Sequence, residues 1–302
     1  MASRVSNTKQ PSQRPVGIDH TFWKNLEHLL IAMVNLADRS SPPSIHAIPG
    51  WHPFLMVATR ATKFIYGSIS YLSADSPKDP LRKLEFGICT APLIRSLVDL
   101  VYTILFIREK PRSRIKRFSR AGWRETKEMV LTLEKQYGSN RKWKPKLVRL
   151  NEGLEDLRIA YRISTRAARH PETLPKWPIP SVILREEKLR PKTRRFMQYL
   201  MLWYRELSQE HHMSGGGIIR VYGKLLLEST DADRDRIIRE MKTSNVLFAV
   251  VCVLAVATEI NDIGGFDRRQ TLAYLWNILT QNRIDARELF TRRYLAMLRR
   301  AN

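Results

Sequence analysis

Apolar residues recur at helical spacing through nearly every long segment of this 302-residue chain, and no segment carries a hairpin signal or a fixed-period repeat. From Thr21 to Ala37, residues Phe22, Trp23, Leu26, Leu29, Leu30, Met33, Val34 and Leu36 form one broad stripe, and Phe54–Leu72 repeats the pattern. Helices are expected over Leu81–Ile107, broken or bent near Pro92, which cannot donate a ladder hydrogen bond, and over Arg112–Tyr137 and Pro145–Ala168. Pro171, Pro175, Pro178, Pro180 and Pro191 make an extended connection, with a short strand at Val182–Leu184. Helices then return over Lys192–His211, Ile218–Leu227, Asp231–Met241, Val246–Ile260, Arg268–Asn282 and Asp285–Arg299, with Asp267 and Asp285 as N-caps. The expected fold is all-α. It is a single helical-bundle domain over 18–302 with a Pro-rich loop at 171–191, preceded by a disordered polar N-terminus, 1–17.

Hydrophobic residues make up 43% of the chain, enough for a packed core, which excludes a wholly disordered basic tail. Two cysteines, Cys89 and Cys252, cannot supply a disulfide framework and lie in apolar surroundings, as buried thiols do in a reducing compartment. The first residues hold no apolar core of a secretory signal, so a cytoplasmic location is expected. The most apolar stretch, Val246–Ala257, is 12 residues long, short of the ~20 a membrane-spanning helix requires. It is expected to be a buried central helix, with no membrane span.

Against 29 Asp and Glu stand 52 Lys and Arg, a net charge of +23 whose plainest partner is a polyanion. The segment Arg108–Arg149 alone holds 15 Lys and Arg against 4 Glu. Arg112, Arg114, Lys116, Arg117, Arg120 and Arg124 lie in this block, the last three at spacings that share a helix face. Arg158, Arg162, Arg166 and Arg169 make a second stripe, and Lys192, Arg194 and Arg195 a third run. Such stripes suit phosphate backbones, where each cation releases condensed counterions without reading sequence. Trp123, Trp143 and Tyr161 are interspersed and could stack on unpaired bases. The same stripes would also serve as solvated helix faces, or meet an anionic membrane or an acidic protein.

Missing motifs prune the enzyme classes. The chain has no GxxxxGK[ST], GxGxxG, HExxH or CxxC, so no nucleotide loop, metal site or cofactor is expected. One dense polar constellation remains, Tyr204–Ser214 (YRELSQEHHMS), in which Arg205, Ser208 and His212 project from one helix face. Histidine moves protons near neutral pH and arginine stabilises charge developing on phosphate, so the pair has the parts for metal-free phosphodiester cleavage. RNA would supply its own 2′-hydroxyl as nucleophile. Equally, Arg and His at a helix C-terminus can simply complement the helix dipole. Arg95 and Asp99, four apart in an apolar helix, can fix bundle register or take part in chemistry.

Tyr204–Ser214 resembles the Tyr-x-x-Leu-Ser-x-x-x-His-x-Ser pattern of an uncharacterised bacterial all-α family related to the HEPN superfamily. The segment APLIRSLVDLVYTILFI, with Arg95 and Asp99, resembles that family's second marker, and the likeness spans roughly Phe54 to Ile260. The resemblance implies a four- or five-helix bundle, often dimeric, with toxin or antiphage-defence roles and a ribonuclease site of the Arg-x(4–6)-His type. It implies that Arg205 binds phosphate, that His212, or His211, does acid–base work, and that Arg95 and Asp99 orient that pair from across the bundle. Two departures stand out: Glu206 places an acidic side chain beside the phosphate site, and Asp99 replaces a longer Glu. The expectation is a protein that binds RNA in preference to DNA and cleaves it without metal, as a homodimer or within a larger complex. The alternative is a non-catalytic nucleic-acid-binding or scaffold subunit of a defence or mobile-element complex.

Overall fold

The computed structural model describes residues 18–39, 48, 50–73, 90–211 and 230–299, and all regular structure among them is helical. In chain order the helices are α1 (His20–Arg39), α2 (Trp51–Ser73), α3 (Ala91–Glu109), α4 (Pro111–Tyr137), α5 (Lys144–Ala160), α6 (Thr165–Arg169), α7 (Pro180–Glu186) and α8 (Pro191–His211). They continue with α9 (Asp231–Gly264), α10 (Arg269–Asn282) and α11 (Ile284–Leu289), which runs through a π turn (Phe290–Tyr294) into α12 (Leu295–Arg299).

α3 and α9 form the axis of the bundle. α3 packs on α2, α8 and α9, while α9 packs on α2 and α10, and α1 closes against α2 and α10. α3 over Val101–Ile107 and α9 over Val246–Ala257 are apolar nearly all round, as suits segments enclosed by other helices. In α9, every residue from Ala249 to Asn261 is buried. The length of α9 differs from the sequence expectation of two helices divided near Thr243–Asn245. Those three residues have weak helix propensity, but tertiary partners hold the segment in register: Asn245 donates to Thr90 Oγ1 (3.1 Å), and Arg283 donates to the Ser244 carbonyl (2.8 Å). Thr230 caps α9 by accepting the Asp233 N–H, and Gly265 ends it at φ +63°, where the Phe266 N–H reaches back to the Asn261 carbonyl. Arg236–Gly264 is long and apolar enough to cross a membrane, more than the 12-residue stretch suggests, and 78% of its most apolar window is buried inside the fold.

The bundle also buries charge. Glu259 is fully buried between Arg108 of α3 (2.5 Å) and Arg293 of the π turn, and Arg108 also pairs with Asp262. Burial would lower the Arg293 pKa, but the Glu259 carboxylate outweighs it and holds the guanidinium charged. Cys252 is free and buried, and burial pushes its thiol well above the usual range. Cys89, the Gly215–Gly217 triplet and the expected helix at Ile218–Leu227 lie outside the described residues.

α3 begins at Ala91 with Pro92 in its first turn, a break at the position expected, and residues 81–89 lie outside the described set. Four local expectations are corrected. The strand at Val182–Leu184 is α7 instead: Ile179 is extended, Pro180 pre-sets the first helical φ, and Ile183 buries against the core. The helix foreseen over Pro145–Ala168 breaks after Ala160 and resumes as α6, with Ser164 accepting the Ala167 N–H as its cap. Asp267 caps nothing, and Asp285 lies inside the first turn of α11, where its carboxylate takes the Ala286 N–H and Arg283.

Candidate nucleic-acid interface

α4 and α5 pack antiparallel as a helical hairpin over a small cluster of their own, formed by Trp123, Val130, Leu154, Ile163 and Leu174. α4 stops at Gly138, the Asn140 side chain accepts the Lys142 N–H (2.9 Å), and Pro145 opens α5. The tip so formed is unusual in charge. Between residues 135 and 149 it carries Lys135, Arg141, Lys142, Lys144, Lys146 and Arg149, with no Asp or Glu. All six are exposed, and none is ion-paired among the described residues. Trp143 stacks on Tyr137 with ring centres 4.6 Å apart, and the Lys146 ammonium lies 4.4 Å from the Trp143 ring centre.

The base of the hairpin, roughly 34 Å back along α4 at about 1.5 Å per residue, carries a second basic surface. α5 ends in a 6→1 bond from the Ile163 N–H to the Arg158 carbonyl (2.9 Å), a closure that places the residue between them in the left-handed region. Glycine usually occupies that position. Here it is Arg162, at φ +52°, the only non-glycine residue with positive φ among those described. Arg112, Lys116, Tyr161 and Arg162 line a cavity of about 450 Å³ that no carboxylate lines. The three cations are exposed and lack ion-pair partners among the described residues.

Six of the other cations expected at a nucleic-acid surface face inward instead. Arg114 is buried, donates to the carbonyls of Phe106 (2.7 Å) and Lys188 (3.1 Å), and stacks 3.8 Å above the Phe106 ring. Arg117 pairs with Glu187 (2.5 Å), and Arg120 donates to the Arg162 carbonyl (3.0 Å). Arg124 binds Glu128 and the carbonyls of Glu172 and Leu174, tying the chain after α6 to α4. Arg158 holds Glu155 and the Ile163 carbonyl, and Arg194 holds the carbonyls of Leu184 and Glu187. Guanidinium suits this work, because its five N–H groups satisfy several carbonyls at once. Arg166, Arg169, Lys192 and Arg195 remain exposed and unpaired among the described residues, but the break at Arg162 means that Arg158, Arg162, Arg166 and Arg169 share no helix face. Of the three aromatics, Trp123 is core, its indole N–H donating to the Leu154 carbonyl (2.9 Å), while Trp143 and Tyr161 are half-buried at the tip and the base.

Tyr204, the first residue of one marker, meets Arg95 of the other where α8 packs on α3. Arg95 of α3 donates to the Tyr204 hydroxyl of α8 (2.8 Å) and stands 4.0 Å from Asp99. All three residues line a cavity of about 390 Å³ with Tyr102, Phe118, Trp177 and Glu125. Burial raises the Asp99 pKa, with the Arg95 charge opposing, and burial raises the Tyr102 pKa, whose hydroxyl donates to the Met197 carbonyl. Arg205 does not line this cavity, although its charge reaches the Tyr102 hydroxyl and opposes the rise in its pKa. It lies one position beyond Tyr204, roughly 100° further round α8, and is exposed. His211 ends α8; its side chain and His212 lie outside the described residues.

The six tip cations make no long stripe in the sequence, because they are spread over the end of α4, the turn and the start of α5, and only Lys146 and Arg149 repeat at helical spacing on one helix. The signal that finds them is a carboxylate-free window around a helix-ending glycine. The described residues hold no cluster of His, Cys, Asp and Glu that could bind a metal ion. Compared with known proteins, the chain matches no family model, no curated protein and no solved structure.

Proposed function

We propose that this protein binds the phosphate backbone of nucleic acid, RNA in preference to DNA, through the α4–α5 hairpin, as a non-catalytic binding or scaffold subunit of a defence or mobile-element complex. The observation that carries this reading is the hairpin tip, with six exposed cations, no carboxylate and a stacked Tyr137–Trp143 pair. The base cleft at Arg112, Lys116 and Arg162 extends the grip along the same hairpin. The HEPN-like bundle, the cytoplasmic location and the homodimer or larger assembly belong to the same proposal. The test is fluorescence anisotropy with labelled single-stranded RNA, single-stranded DNA and duplex across a salt series. Lys142→Glu/Lys144→Glu/Lys146→Glu is expected to weaken binding at least tenfold and to flatten the salt slope. Parent-like affinity in that variant, or binding that ignores salt, sinks the proposal.

One observation favours a second reading, metal-independent ribonuclease activity: Arg95, Asp99 and Tyr204, drawn from two distant markers, meet around one cavity. In that reading Arg205 holds the phosphate while His212 or His211 takes the 2′-hydroxyl proton and returns one to the leaving 5′-oxygen. RNA left intact by the parent protein in the presence of a chelator, or cut equally by Arg205→Ala and by His211→Ala/His212→Ala, refutes it.

A further inference from the structure

A second basic basin lies on the bundle, apart from the hairpin. Its cavity of about 530 Å³ is walled by the end of α3, the start of α8 and the π turn. Five cations line it, namely Arg108, Arg190, Lys192, Arg292 and Arg293, and no carboxylate does. Four of the cations are held by carboxylates that do not line the cavity. Glu259 and Asp262 hold Arg108, Glu259 holds Arg293, Glu109 holds Arg190 (2.8 Å), and Glu288 holds Arg292 (2.7 Å). Lys192 has no such partner among the described residues.

The five differ in depth. Arg190 and Arg292 form the rim, with side chains 68% and 51% exposed, while Arg108 and Arg293 are 23% and 16% exposed at the floor. Charge-assisted hydrogen bonds from half-buried guanidinium groups are stronger than those made in water. Arg108 and Arg293 keep N–H groups beyond those given to Glu259 and Asp262, because each guanidinium has five. The π turn contributes to the geometry. The Leu295 N–H bonds back five residues to the Phe290 carbonyl, and this wider winding sets the consecutive Arg292 and Arg293 on the same cavity. π turns of this kind concentrate at functional sites. Phe196, Pro191 and Met297 supply an apolar wall beside the charges. The volume lies inside the range of small-ligand pockets, roughly 300–1,000 Å³.

We infer that this basin is a binding site for a phosphate chain carried on an organic group, of the nucleoside di- or triphosphate class. The phosphates sit on Lys192, Arg190 and Arg292 and reach the floor at Arg108 and Arg293, and the organic group lies on the Phe196–Met297 wall. The site is separate from the hairpin surface and does not depend on it. A free nucleotide and the 5′-phosphorylated end of a nucleic acid present the same chemistry, and the experiment separates them.

Calorimetric titration of the full chain in chelator, at fixed ionic strength, uses tripolyphosphate, ATP, and an oligonucleotide bearing either a 5′-triphosphate or a 5′-hydroxyl. Saturable binding of tripolyphosphate or ATP is expected, weakened at least tenfold by Lys192→Glu/Arg292→Glu and unchanged by Lys142→Glu/Lys144→Glu/Lys146→Glu. Binding confined to the 5′-triphosphorylated oligonucleotide, and lost by the same cavity variant, assigns the nucleic-acid end instead and also supports the site. Lys192→Gln/Arg292→Gln, checked by circular dichroism, guards against misfolding of the reversal variant. The inference is overturned if no phosphate probe saturates at millimolar concentration, or if the cavity variants bind like the parent. Loss in the hairpin variant alone overturns it too. Failure of the hairpin to bind RNA would leave this result untouched.

Discussion

Arg162 offers a test in which stability and binding should move in opposite directions. At φ +52° an L-residue is strained by about 1–2 kcal/mol, because its Cβ crowds the following carbonyl. Glycine relieves that strain but adds back about 0.4–1 kcal/mol through the greater freedom of the unfolded chain. The net expectation for Arg162→Gly is added stability of up to about 1.6 kcal/mol, centred near 0.8 kcal/mol, by these terms. Nothing offsets it, since the Arg162 side chain is exposed and Arg120 bonds its carbonyl, which glycine retains. The same substitution removes one cation from the base cleft. If that cation contacts phosphate, the slope of log K against log salt flattens by about 0.7 on single strands and about 0.9 on duplex. Arg162→Ala loses the cation and keeps the strain, so it should bind like the glycine variant at parent stability. Urea denaturation and an anisotropy salt series on the three proteins decide the matter. Equal stability of the Gly and Ala variants refutes the strain, and a parent-like salt slope in both removes Arg162 from the interface.

Other outcomes follow from the buried charges. Glu259→Gln, which leaves Arg108 and Arg293 facing each other without their shared anion, should cost about 3–5 kcal/mol in urea denaturation. Burial disfavours the Glu109 carboxylate, but Thr193, the Arg190 N–H and the Arg190 side chain outweigh it and bring its pKa below the usual value. Its stabilisation is therefore present above the ordinary glutamate range and lost as pH falls through the lowered folded value. Glu109→Gln should destabilise at pH 7 by about 1.5–3 kcal/mol, the worth of hydrogen bonds to a charged group, with the difference closing on acidification. Asp99 has the opposite sign, because burial raises its pKa. Ionising it costs the fold stability as pH rises from the ordinary aspartate value through the raised one, so Asp99→Asn should gain on the parent over that rise. An Asp99→Asn difference that does not change with pH contradicts this.

The all-α class and most helix positions were legible in the residues. α1, α2, α4, α8 and α10 begin and end within a few residues of where periodicity, proline and glycine put them. These signals are local, and helices answer to local chemistry. The errors fall where a distant partner intervenes. Thr243–Asn245 reads as a break until Thr90 and Arg283 hold it, and Val182–Leu184 reads as a strand until Ile183 finds the core. Arg162 ends α5 in a conformation that sequence statistics reserve for glycine.

Charge divides in the same way. A total of +23 is a property of composition, and it points to a polyanion whatever the fold. Which cations remain available to such a partner depends on where carbonyls and carboxylates from other helices come to lie. Arg117, Arg120 and Arg124 share a helix face as their spacing requires, yet Glu187, the Arg162 carbonyl and the Glu172–Leu174 backbone occupy them. The tip cations, spread over two helix ends and a turn, stay open because the hairpin turn carries no acid and no carboxylate among the described residues pairs with them. Residue type sets the sign and amount of charge. Packing decides which charges are satisfied inside the protein and which still face outward.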